Sequence, residues 1–209
     1  MKSKNLIYYL TPILVACGGE DSEAGEEKPV DTTNTTEVVE VTNTDLIEPK
    51  NVSIFSLGLP VPAQLPSELS TRKAIHHHKS SGTTTEVDMV VVYNPIEDMI
   101  DLQLEENPSK AEADRNVVEM IVHSDYYRTA TGVGVNSSIE ELLSTYADCQ
   151  FWYTADGERF VAQSVQLQGI QFIFNYDACL KMMEPGADST ALLITDFNPG
   201  SPIEMVRIF

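Results

Sequence analysis

The stretch from Cys149 to Ser164, CQFWYTADGERFVAQS, leaves a chain like this little freedom. Apolar and polar residues alternate in both arms, so successive side chains fall on opposite faces of an extended backbone. Asp156-Gly157 between the arms is a turn pair that tolerates positive φ and joins antiparallel strands. The pattern recurs. EVDMVVVY (Glu86–Tyr93) is β-branched and strand-like. MIDLQLEE (Met99–Glu106) and NVVEMIVHSDYYRT (Asn116–Thr129) flank the turn NPSKAEADR and read as a hairpin with a long turn. IQFIFNY (Ile170–Tyr176) is a further strand, and TALLITDF and PIEMVRIF bracket NPGS as another hairpin. VSIFSLGLPVP (Val52–Pro62) alternates and then stops at prolines. Residues 63–85, rich in Pro, Ser, Thr and Lys, read as a flexible surface loop. The expected class is α+β: mainly antiparallel sheet of about six to eight strands, with one short capped helix.

That helix lies at about 138–146, inside GVGVNSSIEELLSTY (Gly132–Tyr146). The glycines followed by serines raise the question of a phosphate-cradling loop. The third glycine of a dinucleotide fingerprint is replaced by Ser137, no Lys-Ser or Lys-Thr follows, and the next elements are a hairpin rather than a crossover to a parallel strand. Nucleotide binding is therefore not expected. Ser137 with Glu140, and Ser138 with Glu141, each fit a capping box, in which the serine accepts a helix-start N–H and the glutamate returns to the backbone. Ile139, Leu142, Leu143 and Tyr146 fall on one face, which predicts a buried stripe.

The chain's first residues place it. MKSKNLIYYLTPILVAC has Lys2 and Lys4, then an apolar run too short to span a bilayer. Its ending LVAC (Leu14–Cys17) resembles the lipobox of bacterial lipoproteins. The resemblance implies that residues 1–16 are a signal peptide, that Cys17 is the lipidated first residue of the mature chain, and that acyl chains attach it to a membrane. Gly18 and Gly19 follow the cysteine, without the aspartate of inner-membrane retention, so an outer-membrane address is implied if the source has two membranes. The acidic EDSEAGEE beyond is similar to surface-export signals.

Residues 18–50 hold ten acids and two lysines with almost no aromatic content. Such a segment cannot bury enough apolar area to offset its ordering entropy, so 17–50 is expected to be a lipidated, disordered acidic linker. Residues 51–209 are expected to form a single α+β domain. The net charge of −19 repels phosphate backbones, and no nucleic-acid partner is expected. With Cys17 lipidated, Cys149 and Cys179 remain. Outside the cytoplasm this pair can form a disulfide, or stay as two small buried thiols.

The candidates for chemistry are few. Three histidines lie in RKAIHHHK (Arg72–Lys79). His76 and His78 share one side of an extended chain and could offer two metal ligands, whereas metal sites need three or four. His123-Ser124-Asp125 names the residues of a catalytic triad, but neighbours on a strand alternate faces and cannot meet. DFNPGS from Asp196 has calcium-type oxygens without the EF-hand spacing. Glu97-Asp98 and Glu105-Glu106 read as a solvated face. No catalytic residue, resident metal or cofactor is expected. GVGVNSSIEELLSTY followed by strands is similar to an element of small envelope lipoprotein domains, such as the outer-membrane assembly lipoproteins of the BamE/SmpA type and the β-lactamase-inhibitor-like folds. That likeness implies a non-enzymatic lipoprotein that binds an envelope protein partner. A small-molecule or metal-binding lipoprotein is the alternative, and a hydrolase comes third.

Overall fold

The computed structural model describes residues 45–80, 83–154, 159–181 and 191–209, all within one unit, Val41–Phe209. Cys17, most of the linker and the Asp156-Gly157 turn lie outside the described residues.

Three short strands open the domain: β1 (Leu46–Glu48), β2 (Asn51–Val52) and β3 (Phe55–Ser56). They are followed by β4 (Ser70–Ser80), β5 (Thr83–Tyr93), β6 (Asp98–Leu104), β7 (Val117–Val122) and β8 (Arg128–Thr129). The helix α1 (Ile139–Thr145) comes next, then β9 (Gln150–Thr154), β10 (Arg159–Gln163), β11 (Ile170–Phe174), β12 (Ala191–Leu192) and β13 (Met205–Ile208). Nine of these strands make one sheet, ordered β12-β9-β10-β11-β13-β7-β6-β5-β4, with every pairing antiparallel. The other four form a small sheet, β3-β2-β1-β8, in which β1 and β8 run parallel. The chain is thus α+β and dominated by antiparallel sheet. Among the described residues α1 is its one α-helix, beside three single 3-10 turns.

The core lies on one face of the large sheet. Ile100, Leu102, Met120, Val122, Phe172 and Val206 point into it from the central strands. The small sheet contributes Ile47, Val52 and Phe55, and the helix contributes Ile139, Leu142 and Tyr146. Each element hides its apolar face against the other layer, which is why neither the two-residue strands nor the two-turn helix has to be stable alone.

The pairing of β6 with β7 and of β9 with β10 follows the alternation visible in the sequence. Four expectations differ from the structure. Residues 63–85 are not one long loop. Ser70–Ser80 form β4 and residues 83–85 open β5, strands of eleven residues each, paired from Ser70↔Tyr93 to Ser80↔Thr83. β4 is the sheet's edge, so its side chains have no second neighbouring strand and can be polar. Charged residues there also discourage edge-to-edge association, and the apolar alternation that marks a half-buried strand is missing. TALLITDF and PIEMVRIF do not pair with each other: β12 lies at the far edge beside β9, while β13 sits centrally between β11 and β7. Short apolar runs on either side of a turn cannot reveal that another strand accepts their hydrogen bonds. Finally, VSIFSLGLPVP is not one strand but β2 and β3, with a tight turn at Ser53 (φ 55°) and only an isolated bridge at Pro60. The folded part also begins earlier than residue 51, because β1 precedes it.

Candidate binding site

The loop from Gly132 to Ser138 is architecture. Gly134 is required by a close approach: a Cβ there would lie 2.6 Å from the Tyr127 carbonyl oxygen and 2.8 Å from Arg128 Cδ. Of the two serine–glutamate pairs, Ser138 and Glu141 make the capping box. The Glu141 N–H donates to Ser138 Oγ (3.1 Å) and the Ser138 N–H to Glu141 Oε2 (2.7 Å). Ser137 is buried and braces the loop instead, accepting from the Gly134 N–H and from the Arg128 guanidinium. Glu140 stays exposed in the first turn, where its charge complements the helix dipole. Arg128 also donates to the Asp125 carbonyl oxygen, so the cation nearest the glycines is occupied by the fold itself.

Asp45 precedes β1, Glu68 and Leu69 precede β4, Asn94 and Glu97 form the β5–β6 turn, and Tyr126-Tyr127 precede β8. These segments are remote in sequence and meet around a cavity of about 220 Å³, which Pro66 and Met99 also line. The turn is set locally. Asn94 Oδ1 accepts from the N–H groups of Ile96 and Glu97, both at 2.8 Å, the self-bonding that makes asparagine a turn former. Ser124 is buried and ties two walls together: its Oγ donates to Glu97 Oε1 at 2.6 Å and accepts the Tyr126 N–H at 3.2 Å. The Tyr126 and Tyr127 rings pack edge to face, with centroids 5.3 Å apart. Tyr127 is buried, whereas Tyr126 is 56% exposed.

Among the described residues every ionisable lining group is an acid: three carboxylates, Asp45, Glu68 and Glu97, and two phenols. The field they create is visible at the tyrosines. Tyr126 is held above the usual phenol range, first by its hydrogen bond to Asp45 and then by burial. Tyr127 is pushed up to about 12, mainly by burial, with further contributions from Tyr126 and the charges of Asp45, Glu68 and Glu97. An apolar cup with one sign of charge is suited to holding a cation.

Other candidate residues are dispersed. His123 Nε2 lies 3.0 Å from Asp101 Oδ2, Ser124 turns to Glu97, and Asp125 accepts from Asn136 Nδ2, so the triad-like run is split three ways. His76 Nε2 approaches the same Asp101 oxygen at 3.6 Å, while His77 faces Glu86. The side chain of His78 lies outside the described residues. Among the described residues, no group of three or more His, Cys, Asp or Glu side chains is placed to hold one metal ion. The oxygens of DFNPGS serve the turn: Asn198 Oδ1 accepts the Gly200 N–H and Asp196 Oδ2 the Leu193 N–H. Asp98 pairs with Arg72 and Glu105 with Lys110, leaving Glu97 as the member of those acidic pairs that faces the cavity.

The expected disulfide is absent: Cys149 and Cys179 are free thiols. Cys179 directs its Sγ at the Asp196 carbonyl oxygen (3.3 Å), and both side chains pack against the core as small apolar groups. Burial, then the Asp148 charge, pushes the Cys149 thiol up to about 12, so it stays protonated at neutral pH. Among the described residues no helix is long and apolar enough to cross a membrane.

The chain matches no family model, and no curated protein matches it. Among solved structures it is similar to the uncharacterized protein yfeY from Escherichia coli. The two are 11% identical, over 78% of this chain and 97% of that one, with a TM-score of 0.48.

Sequence reading did not find Asp45, Glu68, Tyr126 or Tyr127 as site residues. The one local sign was the Asn94-Pro95 turn signal, which fixes where Glu97 stands.

Proposed function

We propose that this chain is a lipid-anchored protein of the bacterial cell envelope that binds a protein partner and performs no chemistry of its own. The observation that carries this reading is the cavity under Tyr126 and Tyr127. It offers an apolar wall and, among its described lining residues, ionisable groups that are all acids, the features of a recognition pocket. The anchor is inferred from LVAC at Leu14–Cys17, with the acidic linker holding the domain off the bilayer and the outer membrane as its address in a two-membrane source. Cross-linking in intact cells, with an affinity tag at the C-terminus, tests the binding role: one abundant envelope protein should be enriched. Cys17→Ala should release the chain from the membrane fraction. Recovery of that variant in the membrane, or no enriched partner, would overturn the respective half of the reading.

A further inference from the structure

We infer that the cavity at Tyr126 and Tyr127 receives the side chain of an arginine presented by the protein partner, an assignment that rests on the binding role proposed above. Size is the first reason. Small-molecule sites usually enclose roughly 300–1,000 Å³, whereas this cavity holds about 220 Å³, room for one inserted side chain rather than a whole ligand. Charge is the second. Glu68 and Glu97 line it beside Asp45, and among the described lining residues there is no lysine, arginine or histidine, so an anion is repelled and a cation is favoured. Shape of the donor set is the third. A guanidinium is planar, gives five N–H donors to carboxylates spread over several directions, and stacks on aromatic rings, while an ammonium is a strongly hydrated point charge. Arginine is accordingly among the residues that anchor interfaces from a desolvated pocket.

The rim points to a protein rather than a free amine. Ile96 lies in the turn between the lining residues Asn94 and Glu97, and it is 91% exposed. Tyr126, itself a lining residue, adds a second exposed hydrophobic side chain. A small cation would cover neither, whereas a polypeptide carrying the arginine would bury both around the anchor.

The test uses the full chain purified in detergent and isotope-labelled. An acetyl-Gly-Ala-Arg-Ala-Gly-amide peptide is titrated and followed by amide chemical shifts. Saturable shifts are expected at Leu69, Glu97, Met99 and Tyr127, weakening with added salt. The same peptide with neutral citrulline in place of arginine should lose the effect. Glu68→Gln and Glu97→Gln should each weaken binding by about tenfold or more. Glu68 is exposed, so its variant keeps the test valid if Glu97→Gln disturbs the Ser124 contact. Choline shifting these amides at lower concentration than the peptide would overturn the arginine assignment in favour of a small cation. Equal binding of the citrulline peptide, or silence at these amides, would overturn the cation site itself. A partner cross-linked in cells through another face, unaffected by Glu68→Gln, would sink this inference while leaving the binding role standing.

Discussion

The loop and helix from Gly132 to Tyr146 and the cavity at Tyr126-Tyr127 are neighbours along the chain, yet they carry opposite kinds of information. The glycine loop suggests chemistry in the sequence and is scaffold in the structure: Gly134 admits a close backbone approach, the serines cap and brace, and the apolar stripe of the helix joins the core. Beyond the Asn94-Pro95 turn the cavity has no signature in the sequence, and the fold gathers three carboxylates and two tyrosines there from separate segments. Marks that can be read within a few residues report local backbone needs. A site built by convergence leaves no local mark.

If that division holds, substitutions in the loop and helix should lower stability and spare binding, and those in the cavity should do the reverse. Leu142→Ala should have the largest effect. The side chain is fully buried in the core, and such truncations cost about 2–5 kcal/mol; chemical denaturation measures it. A loss well below about 1 kcal/mol would show that α1 is not integral to the core. Gly134→Ala comes next at about 1–3 kcal/mol, because the added methyl must displace the Tyr127 carbonyl or Arg128. It is also the sharpest probe of the division, since Tyr127 belongs to the cavity: weakened peptide binding in this variant would show the two regions to be coupled. Ser138→Ala removes a cap and should cost about 1 kcal/mol in thermal or denaturant unfolding, with binding unchanged.

Tyr127 gives a pH-dependent check. Its folded pKa, about 12, is raised by burial above the ordinary phenol value of 10.0. The contribution to stability is therefore fully present below about pH 10 and is lost as pH rises through about 12. Ultraviolet titration should show one late-ionising tyrosine that Tyr127→Phe removes, and a wild-type titration complete by about pH 11 would contradict the buried setting of its hydroxyl. The smallest stability change belongs to Glu68→Gln, within about 0.5 kcal/mol by denaturant unfolding, while the same variant weakens peptide binding.

The α+β class and the caps of α1 were legible because they depend on near neighbours. Alternation with period two marks a strand that hides one face, and Ser138 and Glu141 are three residues apart on the helix they close. β4 was not legible, since an edge strand with polar side chains lacks that alternation and is held by its backbone ladder to β5. The place of β13 in the middle of the sheet was hidden for a different reason: hydrogen-bond partners chosen across long stretches of chain are set by total burial, not by the turn between two runs. For the cysteines, composition allowed either a bridge or two buried thiols, and packing chose the thiols by directing Cys179 at the Asp196 carbonyl.

The sequence by itself determined the strand-rich composition of the domain, the capped start of α1 and its acidic charge, because each follows from residue type and spacing over a few positions. Only the tertiary structure decided which strands pair, which thiols stay free and which carboxylates face one cavity. Those outcomes require segments far apart in the chain to be brought within a few ångströms, and what brings them there is the burial of one shared core between two layers.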